Sequence, residues 1–374
     1  MRTYTLEAYE DKLVHQVIHL DQGACYSPEF RATRMMHDYP SRKLQLAWSV
    51  YKGYLPPTEY IASLLFQFLL SRQGERWQNF GECAEDLTDA MILCREMMVK
   101  QGFAKEVIQA FKRMLDQNGG HVCPLPSNSV DAWRGAIPTD PASSTYLLID
   151  DATAAYAADC ASSFGRYFKE QEIAFYPEIQ PTFLGWEYFA CGLVDEGITH
   201  LQHLVDHLIE RHISTVVVLS GQARYLLTKY LEKLSIAQPY KVVDVLDECR
   251  CLKVREPSYL YAGSFNLRYL DRARKMNDLV KNDREESIKD CAEFTPLLSA
   301  DHRVNQLTCW QKPVCAEYSL VGCDPAIVAA IMNDAIADIA KPPHSQVIVF
   351  EPYAYHVLKN KLQAEKISYY SEVL

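Results

Sequence analysis

The feature that most constrains this chain is a repeat. Val216-Val217-Val218-Leu219-Ser220-Gly221-Gln222-Ala223 is matched in pattern by Val347-Ile348-Val349-Phe350-Glu351-Pro352-Tyr353-Ala354, at an offset of 131 residues. Each is a short β-branched run, then a turn, then a helix pattern over 224–231 or 355–362. Leu226 and Leu227 align with Val357 and Leu358, and Leu231 with Leu362. Upstream of each run lies an amphipathic helix pattern. One covers 196–211, with Leu201, Leu204, Val205, Leu208 and Ile209; the other covers 325–339, opened by Asp324-Pro325. Further strand patterns fall at 146–149, 241–245 and 259–261. Strands alternating with helices predict βαβ units and parallel pairing. The expected architecture is therefore α/β, with two similar halves, 145–255 and 256–374, related by a pseudo-twofold axis. Repetition at this scale indicates duplication, not a solenoid.

The first third reads differently. Thr58 can cap a helix bearing Ile61, Leu64, Leu65, Phe68 and Leu69, with Pro56-Pro57 before it. A second helix carries Leu87, Ala90, Met91, Cys94, Met97 and Met98, and a third Val107, Ile108, Phe111, Met114 and Leu115. Asn118-Gly119-Gly120 then stops the pattern. Residues 1–120 are expected to form a helical unit. Residues 121–144, rich in proline and serine, are expected to form a linker or an extended arm.

At 374 residues, the chain has room for two or three units of about 150 residues. No stretch reaches the roughly 18 apolar residues of a spanning helix, so no membrane span is expected. The first residues lack a basic start followed by an apolar run, which points to the cytoplasm, free or at the periphery of a membrane complex. Net charge is −10 and Lys/Arg do not cluster, which argues against a nucleic-acid partner. The twelve cysteines would suggest metal or redox chemistry in that compartment, yet no C-x-x-C occurs. The close pairs are Cys249/Cys251 and Cys309/Cys315.

The strand–turn–helix units, the duplication and the helical preface together resemble the Cys-Cys-Gly (CCG) family of iron–sulfur oxidoreductases. That family includes heterodisulfide reductase catalytic subunits. It also includes the iron–sulfur subunits of glycolate oxidase, lactate utilisation and anaerobic glycerol-3-phosphate dehydrogenase. It places a ferredoxin-like helical domain before two CCG domains, and the likeness covers nearly the whole chain. Pro40-Ser41-Arg42-Lys43-Leu44-Gln45-Leu46 is similar to the family's segment between its two cluster motifs, and Gly53 and Pro57-Thr58-Glu59 continue it. Where the family has C-x-x-C-x-x-C-x-x-x-C-P, this chain has Phe68, Ser71, Gly74 and Gln78, followed by Asn79. Cys25 alone stands for the earlier motif. In the halves, the first-ligand region holds Asp150-Asp151 and Gly263-Ser264-Phe265. The Cys-Cys-Gly position holds Ala190-Cys191-Gly192 and Val314-Cys315-Ala316. The closing C-P-x-C is replaced by Ser220–Ala223 and Glu351–Ala354.

The resemblance thus leaves one thiol or none per site. A cubane needs about four thiolates, and Ser, Gly, Ala and Phe cannot replace soft anionic ligands. A fold can persist while its chemistry is lost. The vestigial cofactor positions are Cys191, Cys315, Cys309, Ser220 and Glu351. No catalytic residue and no cofactor are expected.

Other motifs carry bland readings beside the sharp ones. His200, His203 and His207 could share a helix face and bind zinc with an outside ligand, or simply flank the buried stripe. Cys249-Arg250-Cys251 could chelate from a loop but seldom from a strand. Residues 281–286 form a charged turn or helix face. Val218-Leu219-Ser220-Gly221 lacks the Gly-x-Ser-x-Gly elbow of hydrolases, and no Gly-rich phosphate loop follows any strand.

Two functional readings stay open. In one, the chain is a non-catalytic assembly subunit of a redox complex. Its partner would be a flavin dehydrogenase or a cluster-bearing paralogue, and Phe68, Trp77 and Phe265 would fill the space that sulfide once took. In the other, it is an active electron-transfer subunit with a divergent iron–sulfur or thiol centre built from Cys191, Cys249, Cys251, Cys309 and Cys315.

Overall fold

The structure, a computed structural model, describes residues 2–11, 13–14, 27–73, 87–281, 304–305, 307–314, 322–362 and 366–374. Among the described residues the helical region includes α1 (Pro28–Thr33), α2 (Pro40–Tyr51), α3 (Glu59–Phe66), α4 (Leu87–Lys100) and α5 (Lys105–Gln117). Their starts follow local chemistry. The Ser27 hydroxyl accepts from Phe30 N and the Thr58 hydroxyl from Ile61 N, each satisfying an otherwise orphaned first-turn amide. Helix α3 ends three residues earlier than its apolar spacing predicts. Leu69 and Leu70 are still buried, but on a loop that the rest of the protein grips.

The segment 121–144 is not an open linker. It contains α6 (Ser129–Ala136), whose Trp133 is 1% exposed and donates Nε1–H to Ala154 O at 3.3 Å. Helix α6 lies against the helix Ala161–Glu170 so closely that a Cβ on Gly165 would sit 2.2 Å from Ala136 O. A single buried indole surrounded by prolines leaves no helical period to read, which is why the sequence suggested an arm.

From residue 145 on, helices and parallel strands alternate: β1 (Thr145–Asp150), α7 (Asp151–Tyr156), α8 (Ala161–Glu170), β2 (Pro181–Thr182), α9 (Trp186–Ala190), α10 (Val194–Glu210), β3 (Thr215–Val218), α11 (Gly221–Tyr225), β4 (Lys241–Asp244), α12 (Val245–Glu248), β5 (Ser258–Tyr261), α13 (Ala273–Lys281), α14 (Pro325–Ile339), β6 (Gln346–Val349), α15 (Pro352–Lys361) and β7 (Lys366–Tyr369). The fold is α/β. One sheet runs β2-β1-β3-β4 and the other β5-β6-β7, with every pairing parallel. Strands β1, β3 and β4 thus have the same order and sense as β5, β6 and β7. A π-helical turn also follows in each half, Leu226–Tyr230 in one and Phe265–Tyr269 in the other. The terminal strand β7 gave no signal in the sequence, since Lys366–Tyr369 contains a single β-branched residue.

The strands are apolar on both faces, as parallel strands covered on two sides must be. Tyr146, Leu148, Val216 and Val218 point into one core, shared with Leu44, Leu65 and Met91 of the helical region. The alternate residues Leu147, Ile149, Val217 and Leu219 point into a second core, shared with Leu260, Val347 and Tyr369 of the other sheet. The first core therefore crosses the boundary drawn at 120, and both cross the one at 255. The three regions are not separately cored domains, because each face of the first sheet is covered by a different neighbour.

The two sheets protect their first strands differently. In the first sheet, β2 pairs with β1. In the second, a single parallel bridge between Ser258 and Val304 is continued along β5 by amide side chains. Asn305 Oδ1 accepts from Leu260 N at 2.5 Å, while Gln311 Oε1 accepts from Ala262 N at 2.9 Å and its Nε2 donates to Leu260 O at 2.8 Å. Covering an open edge this way prevents it from pairing with another chain.

Candidate functional site

In open parallel sheets, ligand chemistry is expected beyond the carboxyl ends of the strands. Here β1 ends at Asp150, β3 is followed by Ser220, β4 ends at Asp244 and β6 is followed by Glu351. None of the four is more than 3% exposed. Three of them are helix caps. Asp150 accepts from Thr153 N at 2.9 Å and also hydrogen-bonds Ser220. The Ser220 hydroxyl accepts from Ala223 N at 3.2 Å, and Asp244 accepts from Leu246 N at 2.8 Å. Burial pushes the Asp150 and Asp244 carboxyls up, and for Asp244 the ion pair with Arg272 at 2.7 Å opposes it.

The carboxyl ends of the two sheets face each other. A Cβ on Gly221 would lie 2.9 Å from Asn266 Oδ1 across this junction, while within the second sheet one on Gly263, whose φ is +78°, would lie 2.0 Å from Glu351 Cγ. Tyr370 donates its hydroxyl to Leu219 O at 2.7 Å across the same junction. The sequence positions Ser220 and Glu351 are both buried near this junction, where the Ser220 hydroxyl is spent on a helix cap.

Cys191 lies elsewhere. It is the C-cap of α9, with Gly192 next at φ +72° in the left-handed conformation that ends helices. Its thiol is fully buried against Phe111, Phe183 and Leu193, and burial pushes it well up. Beneath it is Arg95 of α4, 1% exposed. Arg95 donates to Ala190 O at 2.6 Å, to Leu65 O at 2.9 and 3.0 Å, and to Phe68 O at 2.5 Å. One guanidinium therefore caps the C-terminal ends of both α3 and α9, where the orphaned carbonyls and the helix dipoles favour a cation.

The same loop after α3, where the family resemblance puts a run of cluster ligands, is gripped by several other side chains. Arg268 Nε donates to Ser71 O at 2.6 Å, and the Tyr269 hydroxyl donates to Leu70 O. Leu69 N donates to buried Glu29 at 2.5 Å. Gln73 donates to Trp310 O at 3.0 Å. Arg72 stacks 4.2 Å from the Tyr269 ring centroid, near Asp89. Lys43, within the segment quoted for the resemblance, is fully buried beside Asp38 at 3.4 Å. Phe265 packs with Tyr225, Tyr269 and Trp186, the indole lying edge-on to its ring.

The other candidates do not converge. His200 Nε2 donates to Phe183 O at 2.7 Å, His207 sits 3.2 Å from Glu178, and His203 is exposed. Cys249 Sγ donates to Cys251 O at 3.1 Å beside the second core, while Cys309 offers its carbonyl to Arg268 at 3.1 Å. Cys25, Gly74, Trp77, Gln78, Asn79, Cys315 and residues 282–286 lie outside the described residues. Among the described residues, no group of three or more His, Cys, Asp or Glu is arranged to hold a metal ion. Nor is any helix among them long and apolar enough to cross a membrane. Among the described positions that the resemblance assigns to cluster ligands, Phe68, Ser71, Asp150, Ser220 and Ala223 offer no thiolate, and Cys191 is buried.

Sequence reasoning missed Arg95, Arg268 and Glu29. For Arg95 a signal existed. It lies four residues after Met91 and three before Met98, on the apolar stripe itself. A cation there has to find buried acceptors.

No family model, no curated protein and no solved structure matches this chain.

Proposed function

We propose that this chain is a cluster-less relative of the CCG iron–sulfur subunits and serves as a non-catalytic structural subunit of a redox complex. Its partner is a flavin dehydrogenase or a cluster-bearing paralogue. The observation that carries this reading is the loop after α3. Its backbone is held by Arg95, Arg268, Tyr269 and Glu29, so protein charges and hydrogen bonds occupy the place of ligand chemistry. The matching strand orders of the two sheets support a duplicated scaffold. The caps made by Asp150, Ser220 and Asp244 give those positions a structural use that needs no inorganic centre.

The test is purification of the tagged chain from its native cell after mild crosslinking. A flavoprotein or cluster-bearing subunit is expected in near-equal amount. The Cys191→Ala and Cys309→Ala variants should support that complex's electron transfer as well as wild type does. Recovery of the chain alone, or loss of electron transfer in either variant with the complex still assembled, would contradict the reading.

A further inference from the structure

A cleft of about 550 Å³ opens where α8 meets the amino-terminal edge of the second sheet. That volume is within the range of small-molecule sites, and the position between two halves of a molecule is a common one for them. Its walls carry charges of both signs. Arg166 and Glu170 stand one turn apart on α8, Lys366 begins β7, and Glu256 precedes β5. None of these four side chains has an ion-pair or hydrogen-bond partner among the described residues. The other charged groups of the cleft are engaged: Asp159 by Lys359 and by Tyr355 at 3.1 Å, Glu372 by the Ser368 hydroxyl at 3.0 Å, the C-terminal Leu374 by Lys253 at 3.1 Å, and Arg255 by an interaction of its own.

Ser371 also lines the cleft. It is 4% exposed, and its Oγ has no hydrogen-bond partner among the described residues. Buried hydroxyls are nearly always paired, because leaving one unpaired disfavours the fold. An unpaired one lining a cleft of this size has an obvious source of a partner, which is a bound molecule.

A purely anionic ligand would satisfy Arg166 and Lys366 but bring its charge beside Glu170 and Glu256. A cation would do the reverse. We propose that this cleft binds a small zwitterion, a free amino acid or a short peptide. Its carboxylate is taken by Arg166 and Lys366, its ammonium group by Glu170 and Glu256, and a polar atom by Ser371 Oγ. The site is distinct from the strand-end cluster, which lies at the opposite edge of the second sheet.

Calorimetric titration of the full chain with triglycine, with L-alanine and with N-acetyl-triglycine amide tests this. Saturable binding is expected for at least one of the two free probes, and which of them binds more tightly separates a peptide site from an amino-acid site. The doubly capped peptide should bind at least about tenfold more weakly, and Arg166→Gln, Glu170→Gln and Ser371→Ala should each weaken binding about tenfold, the loss expected for one charge-assisted hydrogen bond. Ser371→Ala should melt no lower than wild type, since it removes an unpaired hydroxyl. Absence of binding by both free probes, equal binding of the capped peptide, or unchanged affinity in the three variants would overturn the proposal. A lowered melting temperature for Ser371→Ala would overturn the role given to that residue.

Discussion

Replacing Arg95 by alanine is expected to destabilise the protein by about 4 kcal/mol, enough to lower the melting temperature by roughly 5 °C. The size follows from what the side chain does. Its guanidinium is fully buried and reaches three carbonyls on two helix ends and one loop, Leu65, Phe68 and Ala190. It also lies 5.0 Å from the Phe66 ring centroid. Truncation takes the buried donor away from Ala190 O and Phe68 O, leaves Leu65 O with backbone donors alone, and opens a cavity under Cys191. Burial lowers the Arg95 pKa only to about 10, so the group stays cationic at neutral pH. Lysine keeps the charge but not the planar fork, so Arg95→Lys should recover less than half of the loss. The check is thermal and urea unfolding of the three proteins. An Arg95→Ala variant within 1 kcal/mol of wild type would mean that the helical region is not held to the α/β region through this residue.

The second large effect is a pH dependence centred on Glu187. This carboxyl lies on α9, one turn before Cys191, and faces Asp151, Asp150, Cys123 and Cys191. Burial, reinforced by Asp151 and Asp150, pushes it from the ordinary 4.5 to about 8. The folded protein therefore holds a proton that the unfolded chain has released. The resulting stabilisation is complete below pH 4.5, declines as pH rises, and is gone above about 8. Since Glu187 is only half-buried, the effect is put at about 2 kcal/mol after allowing for solvent screening. Glu187→Gln mimics the protonated form. It should match wild type at pH 5 and exceed it by that amount at pH 9. Melting curves of the two proteins at pH 5, 7 and 9 check this, and parallel pH profiles would contradict it.

The legible parts of the fold were those whose burial leaves a period in the sequence. Val216–Leu219 and Val347–Phe350 are apolar on both faces, so their assignment to covered parallel strands needed no tertiary knowledge. The caps at Thr58 and Asp324 marked helix starts for the same local reason. What stayed hidden depends on partners distant in the chain. Strand β2 is two residues long, and β7 draws its strand character from pairing with β6. Helix α6 is fixed by the Trp133 contact with Ala154 O, which no local pattern encodes. Which neighbour covers each sheet face also stayed hidden, because hydrophobic alternation shows that a strand has two buried faces without showing what covers each.

The site divides in the same way. The absence of ligand motifs could be read directly, and so could the positions Ser220, Glu351 and Cys191. Their separation could not. Ser220 and Glu351 lie in one junction between the sheets, whereas Cys191 belongs to the end of α9 above Arg95. Charged residues on apolar stripes, such as Arg95 after Met91, were the readable hint that buried polar chemistry had to be satisfied somewhere nearby.

In the proposed reading, side chains of this protein, not inorganic sulfide, hold together the loop after α3 and the strand ends. Anaerobic reconstitution with iron and sulfide, followed by desalting and assay of both elements together with the visible spectrum, tests it most directly. The account predicts a colourless protein with iron and acid-labile sulfide far below one per chain. A brown protein carrying stoichiometric iron and sulfide, bleached by dithionite, would contradict it.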